Sequence, residues 1–125
     1  MSLKLWMTIK AIVVALFGLG FLLIPASIAT LFGTTTDDTG LLLARFFGMA
    51  WVFEAILLWL AKNFPWPEAQ KIVIAIVISN AIGLVLALVG AASGIFTGIM
   101  GWLSVVLFLI FVLVFAYFLF IKKST

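Results

Sequence analysis

Four long apolar stretches, set apart by short polar clusters, organise this chain. They run over about 11–31, 41–61, 72–91 and 95–121. As helices rising about 1.5 Å per residue, each is long enough to cross roughly 30 Å of hydrocarbon. A helix satisfies its own backbone in lipid, whereas an isolated spanning strand does not. The runs IVIAIVI and VVLFLIFVLVF also lack the alternation of a membrane barrel strand. The pattern predicts an all-α fold, an integral membrane four-helix bundle occupying residues 1–125 as one transmembrane domain.

The connections are short. Residues 33–40 form a Gly/Thr/Asp loop, residues 63–68 a loop with two prolines, and residues 90–94 a tight Gly/Ala/Ser turn. Pro65 and Pro67 stop the second span and allow the third to begin near Pro67. Loops this short make successive helices antiparallel neighbours, which predicts an up-down-up-down course. Pro25, near the far end of the first span, is expected to kink or end that helix. Residues 1–29 also fit a signal peptide, with Ser27-Ile28-Ala29 as a small-x-small site. The stretch is long enough to span, and an uncleaved first helix is the expectation.

Composition narrows the function classes. Hydrophobic residues make up 67% of the 125 and charged residues only 9%, against about 45–50% and about 25% in soluble domains. A water-soluble fold of this size could not hide that surface, which excludes a soluble enzyme. The chain has no Cys and no His, which removes disulfides, thiolate catalysis, ordinary zinc sites and His-ligated haem. No Walker loop, dinucleotide fingerprint or nucleophile–base pair occurs. No catalytic residue and no metal site are therefore expected.

Charge sets orientation. Lys4, Lys10, Lys62, Lys71, Lys122 and Lys123 flank one side of the four spans, while Asp37 and Asp38 lie on the other. The positive-inside rule then puts both termini and the second loop in the cytoplasm, in the plasma (inner) membrane. The net charge of +3 reads as membrane anchoring rather than nucleic-acid binding. Trp6, Trp59, Trp66 and Tyr117 fall near the inner interface and Trp102 toward the outer one, as an aromatic belt.

Inside lipid, helices associate through small residues and polar contacts. The third span carries Ala75, Ser79, Gly83, Ala87 and Ala91 at intervals of four, and the second carries Gly40, Ala44 and Gly48. These tracks either hold one subunit together or form an oligomer interface. Glu54 is the principal candidate, because an intramembrane carboxylate costs about 2.5–3.5 kcal/mol to insert and marks function by default. Antiparallel placement brings Asn80 within about one turn of its depth, close enough for a hydrogen bond, and Trp51 shares its side of the helix. The Glu54, Asn80 and Trp51 cluster reads as interhelical packing, as a proton or cation site, or as a contact for lipid or a partner. Arg45, the only arginine, is expected to snorkel outward to Asp37 or Asp38 or to a lipid phosphate.

The piece Leu43-Ala44-Arg45-Phe46-Phe47-Gly48, following a Thr/Asp/Gly loop, together with the stretch from Gly18 to Pro25, resembles the DoxX-like group of small bacterial membrane proteins. The resemblance covers roughly the first half of the chain. It implies a membrane-embedded helical bundle, an accessory to oxidoreductase or stress-related systems, and transfers no catalytic residue. In size the chain is also similar to the small multidrug transporters, four-helix proteins that act as dimers around a glutamate in their first span. Here the first span has no acid, and Glu54 lies in the second.

The expected function is that of a non-enzymatic structural or accessory subunit. Its partners would be the bilayer and either itself or a larger membrane complex. A proton-coupled transporter or channel using Glu54 is the alternative. No cofactor is expected from the residues, although a bound lipid, quinone or pigment would leave no sequence signature.

Overall fold

A computed structural model describes all 125 residues, and it is entirely helical. The helices are α1 (Leu3–Leu23), α2 (Pro25–Leu31), α3 (Asp38–Ala61), α4 (Trp66–Ala92) and α5 (Ile99–Tyr117), the last continuing as a π-helical turn over Phe118–Lys122. Four stretches, α1, α3, α4 and α5 with its π turn, are long and apolar enough to cross a membrane. Only 17–28% of each apolar window is buried inside the bundle, so most apolar side chains face outward, as a multi-pass membrane protein requires.

The first span departs from its expected bounds. Ser2 caps α1 by accepting a hydrogen bond from the Leu5 N–H at 3.2 Å, so the helix starts eight residues before Ala11. Its buried stripe is Leu3, Met7, Lys10, Ala11, Val14 and Gly18, a repeat of three and four that marks one face of a helix. At the other end Ile24 leaves helical geometry (φ −134°, ψ 55°), and Pro25 opens the separate helix α2. Pro25 lacks an N–H and suits the first turn of a new helix. The expected single span over 11–31 is thus a long helix, a break and a seven-residue helix.

The acids at the start of α3 serve that helix. Asp37 caps it, its Oδ1 accepting the Gly40 N–H at 2.8 Å, and Asp38 sits in the first turn, where a negative charge suits the helix dipole. The two prolines act as a start signal for α4, with Glu68 in its first turn.

The helices pack in two pairs, α1 along α3 and α4 along α5, with only sparse backbone approaches between the pairs. The pairs join firmly at the end that carries the chain termini, called here the tail end. There Met7, Leu58, Val73, Phe115 and Phe118, from all four long helices, are sealed in one core. The backbone closes as well, with the Leu3 N–H donating to Thr125 O at 3.1 Å.

At the opposite, latch end, the core shrinks to Ala87, Ala91 and Val105, all within the α4–α5 pair. The loops tie the pairs together there. Gly98 N–H donates to Phe32 O at 2.9 Å, and Thr97 Oγ1 donates to Gly33 O at 2.8 Å. Gly33 adopts φ +71°, a left-handed conformation that glycine takes without steric cost. Phe32 and Phe96 pack across the same seam at 5.0 Å between ring centres.

A candidate site: an ion pair at the floor of an apolar cavity

The sequence places one lysine where its neighbours are apolar, and the fold explains why it can remain there. Lys10 lies about 10 Å along α1 at the helical rise, on the buried stripe, and is only 2% exposed. Its Nζ stands 2.7 Å from Glu54 Oε1 on α3, the chain's one ion pair. No other donor of the chain reaches that oxygen. The ammonium also sits 4.7 Å from the centre of the Phe111 ring on α5, a favourable cation–π placement. Lys10 is therefore not the solvated anchor that its place beside the tail suggests. An unpaired charge here would be costly, and Glu54 supplies the compensation.

Glu54 consequently does not bond to Asn80. Asn80, 2% exposed, turns its amide back onto its own helix, Nδ2 donating to Ile76 O at 2.8 Å. Its Oδ1 is buried and accepts from nothing in the chain. Ser79 likewise donates to Ile76 O, and Ser104 to Met100 O. Arg45 also departs from expectation. Its Nη1 donates to the Leu22 carbonyl at 2.6 Å, beside the α1 break, and not to Asp37 or Asp38. The guanidinium supplies a donor to a helix end that would otherwise face lipid unsatisfied.

Above Lys10 and Glu54 lies a cavity of about 630 Å³ between the two helix pairs. Lys10, Glu54 and Asn80 form its polar floor, and Phe17, Phe21, Phe47, Trp51 and Phe108 are among its walls. Trp51 is the centre of the aromatic lining, with ring centres at 4.8 Å from Phe47, 5.6 Å from Phe17 and 5.9 Å from Phe21. Among the lining residues Leu43 and Phe47 on α3, and Ile82 and Leu86 on α4, are exposed. They mark a rim opening sideways between α3 and α4, where the bilayer would lie.

The small-residue tracks divide between roles. Gly48 meets α1 at Gly18, so closely that a Cβ on Gly48 would come within 2.6 Å of Gly18 O. Ala75 and Ser79 are exposed, Gly83 receives the Phe108 ring, and Ala87 and Ala91 are buried against α5. At about 3.6 residues per turn, a spacing of four drifts roughly 40° per step, so the track leaves one face and enters another. Its last three members meet α5, and its first two lie on an exposed face.

Comparison with protein-family models, with curated proteins and with solved structures returns no match for this chain. The functional argument therefore rests on the cavity and its floor.

Proposed function

We propose that this chain is a non-enzymatic structural or accessory protein of the plasma (inner) membrane that holds an apolar molecule of the bilayer between its two helix pairs. In this reading it threads the membrane up-down-up-down with both termini cytoplasmic. Paired contacts support the threading: Lys10 with Glu54, Gly18 with Gly48, and Leu22 with Arg45 advance along α1 and retreat along α3. Five lysines, Lys4, Lys62, Lys71, Lys122 and Lys123, support the orientation once Lys10 is set aside. In the stretch that resembles the DoxX-like group, Arg45 and Gly48 fasten α3 to α1 while Phe47 lines the cavity. That division of labour accords with an accessory bundle that carries a ligand.

The observation that carries the proposal is the sideways-opening cavity. Its volume falls in the range of about 300–1,000 Å³ usual for small-molecule sites. Purification from the native membrane in mild detergent, followed by lipid extraction, mass spectrometry and an absorbance spectrum, tests it. A stoichiometric small molecule is expected, and Ala44→Trp, which fills the cavity from its α3 wall, displaces it. An extract with no stoichiometric component, or one unchanged by that variant, overturns the proposal. The same purification identifies any partner protein.

A second reading, a proton-coupled transporter or channel, is favoured by the Lys10–Glu54 pair, since a membrane-buried acid–base pair can exchange a proton or cation. It requires pH-dependent flux in proteoliposomes that Glu54→Gln abolishes, and flux that is absent or independent of pH removes it.

A further inference from the structure

The lining of the cavity restricts what can occupy it. Lys10 and Glu54 are the only charged groups on it, and they compensate each other at 2.7 Å. A charged head entering from the bilayer would bring an uncompensated charge into a low-dielectric space. An uncharged head would not.

The floor also holds a hydrogen-bond acceptor that no donor of the chain reaches. Asn80 Oδ1 is buried and unpartnered, and its orientation is fixed because the amide nitrogen is engaged with Ile76 O. Glu54 Oε1 faces Lys10, while the side chain retains 26% exposure and its second oxygen takes no hydrogen bond from the chain. Ser79 and Ser104 spend their protons on their own helix backbones, and Ser79 Oγ lies 3.5 Å from the Asn80 amide nitrogen as its acceptor, so neither hydroxyl supplies a proton to Asn80 Oδ1. An orphaned acceptor in an apolar setting costs free energy until a donor arrives.

We infer that the cavity selects an uncharged amphiphile bearing a hydroxyl group, bound head-down on the Glu54–Asn80 floor with its apolar chain leaving through the rim between α3 and α4. This rests on the ligand-holding reading above and names the class of ligand. The hydroxyl donates to a floor acceptor, the chain packs against Phe17, Phe47 and Trp51, and its end remains in the bilayer. No charge needs to be neutralised.

Trp51 is the cavity's own reporter, so the test uses the full chain in lipid nanodiscs. The probes are a chain-brominated octadecanol and its methyl ether, which differ by one donor, with the brominated octadecylamine as the cationic control. Quenching that disappears in Trp51→Phe reports occupancy of the cavity. We expect the alcohol to reach half-quenching at roughly tenfold lower mole fraction than the ether, as sites built to hydrogen-bond a donor discriminate against its absence. The amine should be weaker than the alcohol. The double variant Lys10→Met/Glu54→Met removes the floor carboxylate without stranding a charge, and Asn80→Leu removes the second acceptor. Each should narrow the alcohol-to-ether ratio while ether quenching persists, which also shows that the variant is folded. Equal quenching by alcohol and ether, a ratio unmoved by these variants, or preference for the amine overturns the inference while leaving a ligand-holding cavity in place. If neither alcohol nor ether quenches Trp51, the cavity reading itself fails.

Discussion

The two ends of the bundle solve the same packing problem differently. At the tail end all four long helices converge on a sealed core that includes Met7, Leu58, Val73 and Phe115. At the latch end the helices remain in two pairs, and loop hydrogen bonds with one aromatic contact hold them together. In lipid, apolar side chains gain little by facing each other rather than acyl chains, so contact must come from close fit or polar bonds. The tail end uses fit and the latch end uses bonds. Between them the bulky lining residues Phe17, Phe21, Phe47 and Trp51 crowd one another on the α1–α3 pair, and only Trp51 reaches across, edge-on to Phe108 at 6.3 Å, which leaves the gap open.

The ion pair where these regions meet should be the most sensitive point. Lys10→Met leaves the Glu54 carboxylate uncompensated, and breaking a buried pair on one side costs about 3–5 kcal/mol. Lys10→Met/Glu54→Met should recover most of that loss in reversible unfolding by sodium dodecyl sulfate. A single variant as stable as the double would mean that the floor is wet.

Truncations at the two ends come next. Phe115→Ala opens a void in the sealed core and should cost about 3 kcal/mol, whereas Phe17→Ala enlarges an existing cavity and should cost about 1 kcal/mol. Equal losses in the same unfolding assay would erase the contrast. Gly48→Val forces α1 and α3 apart where their backbones touch, with an expected cost of about 1–3 kcal/mol. The smallest effect belongs to Thr97→Val, which removes one latch bond worth about 0.5–1.5 kcal/mol. Its clearest signature should be kinetic, a faster exchange of the Trp51 quencher with little change in unfolding.

Much of the fold is legible in the residues. The apolar stretches give four spans, and prolines place the break after α1 and the start of α4, because lipid imposes length and polarity directly. The floor of the cavity is not legible in the same way. A hydropathy reading treats Lys10 as the end of a tail, yet Leu3, Met7, Lys10 and Val14 share a helical face, and the Ser2 cap signals an early start. Glu54 stands out by its cost alone, but its partner lies 44 positions away, and no spacing rule joins them. Asn80 turns to its own backbone for a similar reason. A carbonyl four residues back is always within reach, whereas Glu54 is already committed to Lys10. The α4 track of small residues is legible as a packing feature in its last three members, Gly83, Ala87 and Ala91, which meet α5, while the roughly 40° drift of a four-residue step carries Ala75 and Ser79 to an exposed face.

The seam formed by Phe32, Gly33, Thr97 and Gly98 has a mechanical consequence. With the pairs fastened at both extremities, the slot between α3 and α4 cannot gape like a jaw. It can widen only in its middle, by bowing of the two rods or by swinging of side chains such as Leu43 and Leu86. A guest once seated should therefore leave slowly, at a pace governed by the stiffness of those rods and by the lateral pressure of the surrounding acyl chains.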